Sequence, residues 1–546
     1  MRAAAEESWQ KALGWLLTAA LVAVIIFGYL MRATGYFAAI PGSIADDPLY
    51  NSFVLEHLYR VAGGSAELWN PQFFYPFKGV LAFSDNHLGS SIPYLLARIA
   101  GLPREHAFDA WFVTGTLLNF GSAFYAIRRF GATTAAAALG AFFFTFALPV
   151  PAQDGHAQLV YRFSIPLATL ALWQMFERRR VIDLARVIAF TVWQFYCSIY
   201  LGLFLSYLLA ALIMAIAVVR GPGPWIHWRA NLANEPRSSW LAAGALLLVS
   251  AIAFSYLVGS YWLISQAYGL WRPVQTITEL LPRPGSYLIA DNSPLLSWLG
   301  RNVQVAGRWE HQLFIGFGAT ALIAAAVAFR RRSQAAPGLA LSALIAFGGL
   351  VAGTLCIGDT SLYHLIAGLP GIEGIRAVSR VILVMLMPLS LLVALGVDAI
   401  WSRVRTPGLA LPVLASLAAL VIVEPLSFRA GGTPIETWHA RLDRAKALLP
   451  SVLPQHPILM LRSSSDKVDE LVLTELYAMV LGQDLGYPVL NGHSGFHPPG
   501  YEPRTCASAR ERLRGYYVFM RGTVDVADYS RRLVVLNLGD CPPTPR

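Results

Sequence analysis

The chain has 546 residues, 56% of them hydrophobic and only 14% charged, whereas soluble domains carry about a quarter charged residues; this composition excludes an ordinary soluble protein. Its net charge of +10 comes from arginines strung between apolar blocks, at Arg128-Arg129, Arg178-Arg179-Arg180, Arg330-Arg331-Arg332 and Arg403 with Arg405. A nucleic-acid protein would gather such charges on one soluble face, so the spacing reads as the positive-inside bias of a membrane protein, with no nucleic acid as partner.

Crossing a hydrocarbon core takes roughly 20 helical residues. Apolar blocks predict spans at 13–31, 107–127, 131–149, 159–176, two within 187–219 divided near Ser198-Ile199-Tyr200, 240–262, 313–329, 338–357, 381–400 and 409–423. The first is long for a secretory signal and lacks a small-x-small cleavage site before Pro41, so it reads as a retained span. Placing every arginine cluster inside puts the N-terminus inside and loops 32–105, 151–158, 263–310 and 358–379 outside. From Phe428 onward polar residues return; 457–461 and 533–538 read as strands and 438–449 as a helix. The predicted fold is an α-helical polytopic membrane domain of about eleven transmembrane helices over 1–427. A small α/β extracytoplasmic domain follows over 428–546. Cys506 and Cys541 can pair in an oxidising compartment, although spacing alone does not establish a disulfide; Cys197 and Cys356, at span ends, read as small apolar packers.

Ionisable residues gather in the outer loops. Asp46-Asp47-Pro48-Leu49-Tyr50 offers two acids before a helix, suited to a general base or a divalent cation such as Mg or Mn. Helix capping by Asp47 ahead of Pro48 accounts for one acid only. Tyr50, Val54 and Leu58 fall on one face of the amphipathic helix predicted to follow. Lys78, Asp85 and His87 stand among aromatic, proline and glycine residues, where interfacial anchoring competes with substrate contact. Asp154 is a further candidate metal ligand with Asp46; His156 suits metal or proton transfer. Arg162, within the first turn of a span, is a charge in need of a partner. Arg376 and Arg380 lie four apart, on one face if helical, on the side opposite to the positive-inside bias. Paired guanidinium groups suit a phosphate.

With these residues the chain resembles the GT-C superfamily of membrane glycosyltransferases, which includes the protein O-mannosyltransferases and the lipid A aminoarabinose transferases. In those families an Asp-Glu-x-x-Tyr/Phe element follows span one, where this chain has Asp46-Asp47-Pro48-Leu49-Tyr50; the second acid departs in being Asp. The chain is similar over most of its length to uncharacterised bacterial multi-span relatives of the mannosyltransferases. The shared elements are Asp47-Pro48, Tyr75-Pro76 with Ser84–Gly89, Gly155–Leu159 with Ile165-Pro166, Leu369–Arg380, and Asn491–Tyr501. The resemblance implies transfer of a sugar from a polyprenyl-phosphate donor to a glycan, lipid or protein acceptor at the outer face of the cytoplasmic membrane. Asp46 or Asp47 would act as base, and Arg376 and Arg380, with Lys78 or Arg162, would hold the phosphate. The tail residues Asn491, His493, Ser494, His497 and Tyr501 would receive the acceptor. Two other classes compete: a lipid-linked glycan flippase and a non-enzymatic envelope-assembly partner. A flippase predicts repeats and mid-span charges, and the sequence has no repeat between its halves.

Overall fold

Long apolar helices dominate the computed structural model, which describes residues 2–42, 47–232, 234–329, 338–403, 407–428, 431–465, 467–501, 506, 512, 515 and 526–541. Asp46 lies outside the described residues, as do the arginines at 330–332 and 405. Among the described residues, six helices are long and apolar enough to cross a membrane: Gly14–Ala33, Thr134–Gln153, Ala157–Arg178, Ile199–Arg220, Arg237–Tyr268 and Val378–Ser402. Phe317–Ala328, Leu339–Thr354 and Leu411–Leu426 are shorter apolar helices. Arg104–Arg129 and Val181–Cys197 occupy the other two predicted positions. The break expected near Ser198 is there: Ser198 is extended, and its hydroxyl accepts from Leu201 N at the start of the next helix.

Val378–Ser402 is the central element, most of its apolar stretch buried, packed on the helices Thr134–Phe146 and Phe317–Ala328. Close approach needs small residues at the contact. A Cβ on Gly140 would lie 2.7 Å from Ser390 O, and one on Gly396 only 2.0 Å from Leu322 O. Arg237–Tyr268, in contrast, turns Trp240, Leu241, Leu248 and Val249 outward from the bundle.

Two carboxylates within this apolar framework serve helix starts, where four backbone N–H groups lack partners. Asp398 accepts from Thr133 N (2.9 Å) and Thr133 Oγ1 (2.5 Å) ahead of Thr134–Phe146. Glu424 accepts from Phe317 N at 3.0 Å and Gly318 N at 3.4 Å.

The tail is knitted to the first loop. Strand β1 (Ala39–Pro41) pairs antiparallel with β4 (Gly432–Pro434), and Phe74 N and Tyr75 N bond to Asn491 O and Val489 O, both at 2.9 Å. A hairpin of β2 (Cys356–Ile357) and β3 (Thr360–Ser361) follows the helix Leu339–Thr354. In the tail, β5 (Ile458–Ser463) and β6 (Leu533–Leu538) pair in parallel. Helix Ile435–Ala447 precedes β5, close to the predicted 438–449, and helix Val468–Leu485, which the sequence reading does not include, follows it. Cys506 and Cys541 form a disulfide, and Cys197 and Cys356 are free and buried.

One local expectation fails. The helix Asp47–Ala62 is not amphipathic: every residue from Pro48 to Leu58 is buried. The tail and the neighbouring helices cover the face that alternation would leave to water, as Gln483 Nε2 bonding to Phe53 O illustrates.

Candidate active site

The loops carrying the candidate residues meet at one end of the bundle, and two hydrogen-bond chains converge there on Oδ2 of Asp47. In the first, His156 Nδ1 lies 2.8 Å from Asp47 Oδ2. The other ring nitrogen, Nε2, is 3.5 Å from Oε1 of Glu310. Glu310 is gripped in turn by Arg380, Nη2 to Oε1 at 2.5 Å and Nε to Oε2 at 2.9 Å. This is the parallel two-bond geometry that a guanidinium offers a carboxylate. With the His156 ring protonated, the charges alternate, Asp47 −, His156 +, Glu310 −, Arg380 +, and the set is neutral.

The second chain is built from amides. His87 Nε2 donates to Asn51 Oδ1 (2.5 Å), Asn51 Nδ2 to Gln158 Oε1 (3.0 Å), and Gln158 Nε2 to Asp47 Oδ2 (2.7 Å). Each amide has both ends engaged, so the chain has one direction. It ends with Gln158 donating to the acid. Both chains use Oδ2; the Asp47 side chain stays 26% exposed.

Burial would raise the Asp47 pKa. The hydrogen bond and charge of His156, the charge of His493 and the Gln158 hydrogen bond outweigh it and hold the carboxyl well below the usual carboxylate range. For His156, burial and the Arg380 charge favour the neutral ring, but the bonds to Asp47 and Glu310 prevail and raise its pKa. Glu310 is likewise held well below the usual range, against burial, by Arg380 and His156.

The other predicted residues take varied places. Asp85 accepts from Ile199 N (2.6 Å) and Ser198 Oγ (3.1 Å), capping the helix Ile199–Arg220. Burial pushes its pKa up to about 6, against those bonds and the Arg380 charge. His87 is wholly buried, edge-on to Trp111, and burial lowers its pKa to about 3. Arg162 is buried too, its Nη1 and Nη2 donating to Phe144 O (3.3 Å) and Thr145 O (3.1 Å), the last carbonyls of the helix Thr134–Phe146. It lines a small cavity of about 40 Å³ with Asp154, His156 and Tyr29. Among the described residues no three His, Cys, Asp or Glu side chains gather as a metal set. Asp154 faces that cavity, and its expected partner Asp46 lies outside the described residues.

Arg376 and Arg380 do not share a helix: Arg376 is in irregular chain and Arg380 in the one-turn helix Val378–Val381. They meet instead around Tyr200, whose hydroxyl accepts from Arg376 N at 3.0 Å and whose ring lies 5.4 Å from the Arg380 guanidinium. Arg272 stands close enough to Arg376 for their like charges to interact and stacks on Phe496 at 3.9 Å. The Arg376 side chain is exposed, as is Lys78, whose backbone N bonds to Tyr268 Oη at 3.1 Å.

The tail closes over this end: Tyr50 Oη is 3.3 Å from Ser494 Oγ, and Arg272 donates to Gly495 O. Asn491 supports it, bonding Leu461 through both ends of its amide at 2.8 Å, and His497 stacks on Tyr501 at 4.4 Å.

Sequence reasoning missed Glu310, Asn51 and Arg272, and gave Gln158 only as part of the Gly155–Leu159 element. Glu310 is the only acid in the stretch 292–358, the one signal that could have singled it out.

No family model matches this chain, and no curated protein matches it.

Proposed function

We propose that this chain is a GT-C-like membrane glycosyltransferase of about eleven spans. It acts at the outer face of the cytoplasmic membrane, with the N-terminus inside and the 428–546 tail outside. The donor is a polyprenyl-phosphate sugar; the acceptor is a glycan, lipid or protein. The observation that carries this reading is Asp47. It is an acid kept ionised by two converging hydrogen-bond chains, partly exposed, within reach of the Arg380 charge and beneath the tail.

In the proposed reaction, Asp47 Oδ1 takes the proton of the acceptor hydroxyl. The acceptor oxygen forms a bond to the anomeric carbon as the bond from that carbon to the phosphate oxygen breaks, inverting the configuration. The electron pair leaves with the polyprenyl phosphate. Because Glu310 engages Arg380, the departing charge falls to Arg376 and Arg272, with Lys78 at the rim. The assignment of Arg380 is thereby revised from phosphate holder to support for Glu310.

The test is a mass balance on purified protein in proteoliposomes supplied with a synthetic polyprenyl-phosphate hexose or pentose and an envelope extract. Free polyprenyl phosphate and a covalently labelled acceptor, in equal amounts, support the reading. Passage of intact sugar-lipid across the bilayer, without a covalent product, would establish a flippase instead.

A further inference from the structure

Late in the first loop, the helix Ile92–Ile99 has two unlike faces. On one, Tyr94 is fully buried and its hydroxyl donates to Glu56 Oε2 at 2.8 Å. Arg98 joins it there, Nε to Oε2 at 2.9 Å and Nη2 to Oε1 at 3.2 Å, while its Nη1 donates to Leu102 O at 2.7 Å. The other face carries Ile92, Leu96 and Ile99, which are 51%, 61% and 71% exposed and spaced i, i+4, i+7 along one side of the helix. Every exposed residue from Ile92 to Pro103 is apolar or glycine. A contiguous apolar face of this kind marks an interaction surface.

The ends of the segment say what covers it. Gly89 is pressed onto the last turn of the apolar helix Val181–Cys197: its N donates to Tyr196 O at 2.7 Å, its O accepts from Trp193 Nε1 at 3.1 Å, and a Cβ there would lie 2.9 Å from Tyr196 Cβ. Trp193 is itself exposed, and an indole with an apolar body and a bonded N–H is the residue of a membrane–water boundary. Beyond the short helix, Arg104 opens the helix Arg104–Arg129. Eight residues span about 12 Å, so a helix tied at both ends to the ends of apolar helices runs along that boundary. Its basic groups are turned away from lipid headgroups. Arg98 is engaged by Glu56 and Leu102, and Arg104 by Gln483 Oε1 at 3.1 Å and Asp484 Oδ1 at 2.8 Å. The surface therefore fits acyl chains and does not call for an acidic headgroup.

We propose that Ile92–Leu102 is a membrane-surface anchor: the helix lies in the plane of the bilayer boundary with Ile92, Leu96, Ile99 and Leu102 in the acyl layer, and through Glu56 it fixes the position of the helix that carries Asp47. Glu56 is buried on that helix, nine residues after Asp47 and about 14 Å along its axis. Lipid depth is thereby passed to the acid by one carboxylate with three bonds. Only the consequence for a lipid-linked donor rests on the transferase reading; the anchor does not.

The test is electron paramagnetic resonance of the full chain in phosphatidylcholine vesicles, with a nitroxide at L96C or I99C and the wild type carried through labelling as the blank. V452C in the tail and L248C on the outward face of Arg237–Tyr268 give the water and lipid references. Labels at 96 and 99 should collide with oxygen in preference to a water-soluble nickel chelate, as at 248, and lie about 5–10 Å below the headgroup boundary. Added phosphatidylglycerol should leave that depth unchanged. Ile99 is the most exposed of the three, so I99C decides the matter if L96C does not fold. Water-like collisions as at 452 overturn the anchor. So does shielding from both agents with dipolar broadening between labels, which would assign the face to a second copy of the chain. For the link, the distance between labels in A62C/I99C should be narrowly distributed and should broaden with E56Q; an unchanged distribution overturns the coupling to the Asp47 helix. These readouts need no donor, so the expected collisions without any sugar transfer would count against the transferase and leave the anchor standing.

Discussion

Asp47 and His156 are 109 residues apart in the chain and 2.8 Å apart in space. That contact joins the first loop to the second, and it decides which of the ionisable residues at this end of the bundle can do acid–base work. Asp85 caps a helix start and Arg162 a helix end, while His87 is enclosed. Asp47 combines partial exposure with an enforced charge.

Replacing Asp47 by Asn keeps the shape of the side chain and an oxygen able to accept from His156 and Gln158, but removes the proposed base. Transfer should fall by about 10²–10⁴-fold, the usual contribution of a general base, with the thermal unfolding midpoint nearly unchanged. A loss of folding equal to the loss of activity would assign Asp47 to structure.

The pH profile follows from the directions of two shifts. Asp47 is held below the ordinary carboxylate range by His156, so it stays ionised until the pH falls below that range. His156 is raised by Asp47 and Glu310, so its cationic form is present at low pH and is lost as pH rises through a midpoint above 6.5. The transfer rate should therefore show an alkaline limb above pH 6.5 and no acid limb near pH 5. A rate still rising between pH 7 and 9 would contradict this.

The arginines separate by burial. Arg380→Met leaves Glu310 charged in the interior without its two-bond guanidinium partner, which should cost about 3–5 kcal/mol of stability. Arg376 is exposed, so Arg376→Gln should change stability by less than about 0.5 kcal/mol. It should raise the donor KM roughly tenfold, the lower end for a hydrogen bond to a charged group. Unfolding curves and KM measured on the same two variants check both statements.

Buried His87 makes the protein acid-sensitive. Its folded-state pKa is lowered to about 3, so the unfolded chain takes up a proton first, below 6.5. Stability present above pH 6.5 should be lost between 6.5 and about 3, at up to about 1.4 kcal/mol per pH unit from this group. Unfolding measured at pH 7 and pH 5 should show the loss, and His87→Gln should flatten it.

Much of the helical layout was legible because long apolar runs have few other uses. The break at Ser198 was legible too, since a polar residue with local hydrogen-bonding capacity interrupts an otherwise continuous block. The roles of Asp85, Arg162 and Arg380 were not. Their partners are Ile199 N, Phe144 O and Glu310, two of them backbone atoms that carry no signature in sequence. Glu310 escaped notice for a related reason: its meaning depends on residues 156 and 380 reaching it from other loops. The full burial of helix Asp47–Ala62 was not legible because the spacing of Tyr50, Val54 and Leu58 reports one covered face, whereas the tail covers the other.

The disulfide Cys506–Cys541 closes 35 residues of the tail. Constraining a loop of that size contributes about 3–4 kcal/mol in the chain-entropy account. Reduction, or a Cys541→Ser variant, should therefore destabilise the tail, seen as faster proteolysis within 428–546 while the membrane helices stay protected.

The most direct test of the central claim compares wild-type protein with Asp47→Asn in identical proteoliposomes carrying a polyprenyl-phosphate sugar labelled at the anomeric carbon. The account predicts that wild type transfers the label to acceptor with inverted configuration and that Asp47→Asn does so at least about 10²-fold more slowly. Equal transfer by both proteins, or retention of configuration, would contradict it.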